Sequence, residues 1–204
     1  MPSYLGKYKN AASNRDTKLP RAIRSVLNQN ADLELVIVAD GCDQTIEIVR
    51  DNFTDERIRM FKVSDDRNFG AKRNAGASGY PRNAGIQQAK GEYIIYLDID
   101  DTYREGYLED LSEAMTDYDW YWFHDLSWDR KTEQFNKHIC NIDVQGQCGT
   151  SNLCHRRSMG LQWNEKSYLH DWIFISSLKR VSQNYKFLDV VGYQICHVPH
   201  LLDV

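Results

Sequence analysis

The stretch RNAGIQQAKGEYIIYLDIDD, residues 82–101, decides the fold. Its first part, Asn83–Lys90, reads as a short helix that Gly91 ends. Glu92–Leu97 is then a nearly continuous apolar run, too short for a helix and rich in the Ile and Tyr that strands favour. Such a run is a strand buried on both faces, as in a parallel sheet. It runs straight into three carboxylates, Asp98, Asp100 and Asp101.

The same order recurs upstream. Lys18–Asn30 sets Leu19, Ile23, Val26 and Leu27 on one helical face, and Leu33–Ala39 is a second buried strand. That strand ends at Asp40-Gly41, after which Asp43 can cap a helix carrying Ile46, Val49 and Phe53. Ile58–Val63 is a further strand, and Ser64–Arg82 is a long polar loop in which Arg-Asn-Ala-Gly occurs at 73–76 and again at 82–85. A helix follows over Tyr107–Met115. The expectation is an α/β fold, Rossmann-like, with a mostly parallel sheet flanked by helices. In doubly wound sheets ligands bind outside the carboxyl ends of the strands, where both acidic clusters fall.

The second half reads differently. Asp119–Trp128 and Glu133–Ile142 form strands joined by a turn, so a smaller antiparallel region is expected. Gly149–His155 is one more strand or a binding loop, and Glu165–Asn184 is the longest helix. Phe187–Val191 and Tyr193–Val198 end the chain as short strands. With no Pro- or Gly-rich linker, 204 residues make one domain with a first half over 1–106 and a second over 107–204.

Composition narrows the function classes. Lys+Arg 25 against Asp+Glu 29 gives a net charge of −4, which excludes a basic nucleic-acid stripe. There is no apolar run long enough for a transmembrane segment and no signal-peptide core. The five cysteines are irregularly spaced, without a C-x-x-C pair, and read as free thiols of a soluble, cytoplasmic protein. Three carboxylates within four residues repel one another unless a cation joins them. Short acidic side chains offering only oxygen suit Mg²⁺ or Mn²⁺, and an ion so held bridges substrate phosphates. The competing reading is a solvated acidic turn that caps the next helix.

Several motifs, taken in order, resemble glycosyltransferase family 2, whose members have the GT-A fold. Pro2-Ser3-Tyr4 is similar to the segment after that family's first strand, and Leu19–Gln29 to its first helix. Leu33–Thr45 is similar to its second strand and acidic turn, and Arg82–Asp101 to the stretch ending in its DXD motif. Two departures stand out. The family's first strand is expected before Pro2, where this sequence has only Met1, and the turn after Asp40 is one residue shorter than the common form.

The resemblance implies a metal-dependent, inverting transferase that moves a hexosyl group from a nucleotide-diphosphate sugar to an acceptor hydroxyl on a glycan. The default donor is a UDP-sugar such as UDP-glucose or UDP-galactose, with Mn²⁺ or Mg²⁺. Pro2, Ser3, Tyr4, Asp40, Arg82 and Asp98 would bind the nucleotide sugar. Asp100, with Asp98 and a late His197, would hold the metal. Asp171, in Ser167–Trp172, matches the family's acidic motif and would be the general base. Thr150, Ser151, Asn152, Trp163 and His170 would line the acceptor pocket.

Each residue also has a plainer reading. Asp101 and Asp171 suit helix starts, Arg82 a surface ion pair, and His197 ordinary packing. The aromatic Trp120–Trp128 run suits sugar stacking or core. The rival functions are a non-catalytic nucleotide-sugar or glycan-binding module and a sugar nucleotidyltransferase.

Overall fold

The computed structural model describes residues 1–6, 14–63, 78–129 and 131–196. The first copy of the Arg-Asn-Ala-Gly echo and His197 lie outside them. In the first half, α1 (Arg15–Leu27) buries Leu19, Ala22, Ile23 and Val26, the face expected from their spacing. It starts three residues before the expected Lys18, because the Asn14 carbonyl accepts from the Thr17 and Lys18 amides. β2 (Leu35–Asp40) lies between β1 (Pro2–Ser3) and β3 (Ile58–Val63), all parallel. α2 (Asp43–Asn52) packs on α1 and β2, and α3 (Gly79–Gln88) lies across β1, β2 and β3.

β1 is two residues long. Pro2 pairs with Val38 and Ser3 with Ala39, and the Met1 amino group donates to the Val36 carbonyl at 2.8 Å.

The Glu92–Leu97 run departs from expectation. Its strand, β4 (Tyr93–Ile95), does not join the parallel sheet. It pairs antiparallel with β9 (Leu153–Arg156) at the edge of a sheet ordered β10 (Tyr185–Phe187), β6 (Trp120–Trp122), β9, β4. A cavity of about 980 Å³, lined by Leu35 and Val36 on one side and Tyr93 and Ile95 on the other, separates β4 from β2. β1 reaches only Val38 and Ala39, so it does not bridge the two strands.

A third sheet is ordered β5 (Thr102–Tyr103), β11 (Tyr193–Ile195), β7 (Asp125–Asp129), β8 (Gln134–His138). The expected hairpin is β7 with β8, Leu126 opposite Lys137. The Asp119–Trp128 run, however, divides between two sheets at Phe123-His124. The Phe123 amide donates to the Asn152 carbonyl at 3.1 Å, the last bond in register with the β6–β9 pairs, and β7 then pairs with β11 and β8. Trp120, Tyr121 and Phe123 are fully buried, so that aromatic run is core.

α4 (Tyr107–Ala114) closes one apolar core with α1 and β2. α5 (His170–Val181) closes a second around Trp120, Trp163 and Phe174. α5 begins five residues after the expected Glu165. Asn164 Oδ1 accepts from the Lys166 and Ser167 amides at 2.9 and 2.8 Å and holds that segment as a turn.

Candidate active site

Arg82 lies in the first turn of α3 and is 5% exposed, where the sequence left open a surface ion pair. Its Nη2 donates to Asp98 Oδ1 at 2.8 Å and to Thr150 Oγ1 at 3.4 Å. Its Nη1 donates to Ser78 Oγ and lies 3.3 Å from His170 Nε2. The guanidinium stands 5.1 Å over the Trp163 ring. Burial opposes the charge, but Asp98 and Asp171 more than offset it and hold the guanidinium pKa above its ordinary value. A buried Arg with several acceptors can be kept charged in this way.

Trp163 is the floor of this cluster rather than an open stacking face. It is 2% exposed and parallel to Phe174, with centroids 3.9 Å apart. Asn83, next to Arg82 on α3, fixes it at both backbone groups: Oδ1 accepts from the Trp163 amide at 2.7 Å, and Nδ2 donates to its carbonyl at 3.0 Å.

The three carboxylates after β4 part company. Asp101 turns inward, where Tyr193 OH donates to Oδ2 at 2.8 Å and the Cys196 amide to Oδ1 at 2.7 Å. It therefore ties β11 to the acidic turn and caps no helix, since α4 starts after Gly106. Burial, then Asp100 and Asp98, push its carboxyl well above the ordinary range. Asp98 keeps one oxygen on Arg82 and remains about a third exposed, at 35%. The Asp100 carbonyl accepts from Arg21 Nη2 at 2.7 Å.

Asp40 is buried at the carboxyl end of β2, followed by Gly41 at φ 62°, a left-handed turn that suits glycine. Pro2, Ser3 and Tyr4 lie at the matching end of β1, where Ser3 Oγ shares a hydrogen bond of 2.8 Å with Thr45 Oγ1 of α2. The Tyr4 carbonyl accepts from Arg15 at 2.6 Å.

His170 and Asp171 open α5 beside Arg82. Burial lowers the His170 pKa and so favours the neutral ring, whose Nε2 can accept from Arg82. Asp171 Oδ1 is shut from solvent, accepts no hydrogen bond among the described residues, and lies 3.3 Å from His170 Nε2. Burial pushes its carboxyl above the ordinary range, against the pull of His170 and Arg82. Arg82, Asp98, Thr150, Trp163, His170 and Asp171 thus form one cluster drawn from both halves of the chain.

Ser151 and Asn152 do not face this cluster. They follow Thr150 in a 3₁₀ turn, and both donate to Asp125 Oδ2, at 2.8 and 2.9 Å. Asp125 is 1% exposed, and the sequence reading passed over it. Its signal was present, as a charged residue inside an aromatic strand run. Asp98 Oδ2 has no partner among the described residues, and the donors of Asp98 and Asp100 are oxygen, which fits Mg²⁺ or Mn²⁺. The one group of three close metal-binding side chains among the described residues lies elsewhere, at Asp125, His138 and Cys140.

Comparison with known proteins adds to this geometry. The sequence model of glycosyl transferase family 2 matches residues 11–161. The poly(ribitol-phosphate) beta-N-acetylglucosaminyltransferase TarP of Staphylococcus aureus is 37% identical over 101 residues, 48% of this chain and 29% of that protein. A GalNAc(5)-diNAcBac-PP-undecaprenol beta-1,3-glucosyltransferase of Campylobacter jejuni is 33% identical over 103 residues, 49% of this chain and 31% of that one. The matches thus span under a third of these relatives' length. Among solved structures, S. aureus TarS 1-349 with UDP-GlcNAc superposes with a TM-score of 0.70 at 18% identity, covering 95% of this chain and 56% of that one. The same TarS fragment with UDP gives 0.66 at 17% identity, covering 95% and 58%. The likeness shows the GT-A type of α/β fold.

Proposed function

We propose that this chain, which belongs to glycosyl transferase family 2, moves a sugar from a UDP-sugar to an acceptor hydroxyl on a glycan. One observation carries the reading. A single buried guanidinium, Arg82, joins the carboxylate at the end of β4 to the residues that open α5. The donor side and the candidate base therefore belong to one network. Residues 1–106 would bind the nucleotide sugar and 107–204 the acceptor.

In this mechanism Asp171 takes the proton of the acceptor hydroxyl as its oxygen bonds to the anomeric carbon. The bond from that carbon to the diphosphate oxygen breaks, and the nucleotide diphosphate leaves. Asp171 is suited to the step because burial has made its carboxylate more basic while the side chain stays a third exposed. Arg82, charged and fixed over Trp163, holds Asp98 and faces the charge that develops. His170, 3.3 Å from Arg82 Nη1, orients the cluster, and burial makes its ring a poorer proton acceptor than a free imidazole. Asp98 and Asp100 would hold Mn²⁺ or Mg²⁺, with His197 as the expected further ligand. Such an ion, when bound, neutralises the departing diphosphate.

Both named relatives form beta linkages. From the usual α-linked nucleotide sugar that outcome is inversion, consistent with a single displacement. One relative transfers N-acetylglucosamine and the other glucose, so the donor class extends beyond glucose and galactose.

The test offers UDP-glucose, UDP-galactose and UDP-GlcNAc, with and without Mn²⁺ and with a panel of glycan acceptors. The expected result is UDP release and a glycosylated product from one donor, abolished in Asp171→Asn while UDP still binds. Binding without release for every donor and acceptor would leave a binding module. Pyrophosphate release from a sugar phosphate and UTP would instead mark a nucleotidyltransferase.

A further inference from the structure

The second half holds a cluster that the transfer reaction does not use. Asp125 opens β7, and His138 ends β8 directly across the ladder from it. The chain then runs through Ile139–Gly149 with turns only, and Cys140 and Cys148 stand near the two ends of that loop. Asp125 Oδ2 accepts from Ser151 and Asn152, which leaves Oδ1 to His138 Nδ1 at 2.9 Å. Cys140 Sγ is 3.7 Å from the same nitrogen. The neighbouring Cys148 thiol pushes the Cys140 thiol above its ordinary range, but its sulfur is not among the three donors that lie mutually close. The donor atoms of Asp125, His138 and Cys140 all lie within 4.8 Å of one another.

We propose that Asp125, His138 and Cys140 bind a zinc ion, with Cys148 at the far end of the same loop closing in as the fourth ligand. The donor set selects the metal: two sulfurs, one imidazole and one carboxylate suit tetrahedral zinc and not Mg²⁺ or Mn²⁺. The spacing is close to what is required, since bonds of ~2.0–2.3 Å at tetrahedral angles put donors roughly 3.3–3.8 Å apart. Asp125 is already oriented as zinc ligands commonly are, its second oxygen held by Ser151 and Asn152. Among the described residues its only ion-pair partner is His138, so a cation would add positive charge beside a carboxylate that is 1% exposed. The His138 side chain is 46% exposed, which leaves the ion a way in.

Bound there, zinc would clip the loop over 139–149 to β7 and β8. It would also fix the turn whose first residue, Thr150, faces Arg82. The site is separate from the Asp98–Asp100 turn, and the inference does not depend on the transfer reaction.

The test uses the whole chain, purified with reductant and titrated with Zn²⁺ alone and then with Co²⁺. The expected result is one Zn²⁺ per chain and, for Co²⁺, the thiolate charge-transfer band and strong visible absorption of a tetrahedral site. Affinity should fall at least about tenfold in His138→Gln and in Cys140→Ser, and stay unchanged in Cys42→Ser. His138 is half exposed, so its replacement keeps the test valid if the cysteine variant does not fold. The proposal is overturned by absent or substoichiometric binding that these replacements do not change, which would mark an adventitious ion only. It is equally overturned by a metal-free Cys140–Cys148 disulfide in the protein purified with reductant.

Discussion

Two carboxylates flank one short turn, and their surroundings are opposite. Asp125, on the Ser151–Asn152 side, has both oxygens engaged, by two donors and a histidine. Asp171, on the Thr150 side, has an oxygen sealed from water with no donor among the described residues and a carboxyl pushed up by burial. A buried carboxylate that is fully hydrogen-bonded organises structure. One left short of partners costs stability and is the more basic for it. The contrast separates a residue that builds the site from one placed to work in it.

The strongest way to break this comparison is to make the two carboxylates fail alike. Asp171→Asn should lower kcat by about 10²–10⁴-fold, as loss of a general base does, with UDP affinity retained. A change under threefold in steady-state turnover would remove Asp171 from the chemistry. Arg82→Met cuts the link between the halves and leaves Asp98 and Asp171 without their cation. A destabilisation of about 2–3 kcal/mol is expected in urea unfolding, at the low end for a broken buried pair because Asp98 is a third exposed. Arg82→Lys should recover only part of it, since one ammonium cannot span Asp98, Thr150 and His170.

Asp125→Ala should act on stability more than on chemistry. It strands the Ser151 and Asn152 donors, for about 2 kcal/mol, or roughly 4–8 °C in thermal midpoint for a chain of this size. Turnover at a temperature where the variant is fully folded should fall far less than in Asp171→Asn.

The smallest effect concerns pH and has a definite sign. The Asp171 pKa is raised on folding, so the native state holds its proton more tightly than the unfolded chain. Stability is then lost as pH rises from the unfolded pKa through the folded one. Asp171→Asn removes that loss. Its thermal midpoint should exceed that of the unchanged chain by a few degrees at pH 7 to 8, and the difference should vanish in acid. A midpoint gain that grew toward low pH would contradict the assigned shift.

The two halves also differ in how far they could be read. α1, β2 and the acidic ends of β2 and β4 follow from local pattern. Leu19, Ile23 and Val26 recur at helical spacing, and the apolar runs stop at a charge. The partner of β4 did not follow, because an apolar run states that a strand is buried and not which strand pairs with it. The break at Phe123-His124 was equally hidden, since β6 pairs with β9 and β7 with β11, strands far along the chain. Trp163 was expected in an acceptor pocket, and its stacking on Phe174 depends on where α5 lands.

The sequence by itself determined the class of fold and the placing of carboxylates at strand ends, because strand, turn and charge are neighbours in the chain. Only the tertiary structure decided what those carboxylates meet. Arg82 reaches Asp98 at a separation of 16 residues, Thr150 at 68 and His170 at 88. No periodicity links positions so far apart. Their meeting is set by how α3, β4 and α5 pack, and that packing leaves Asp171 short of a donor and Asp125 fully supplied.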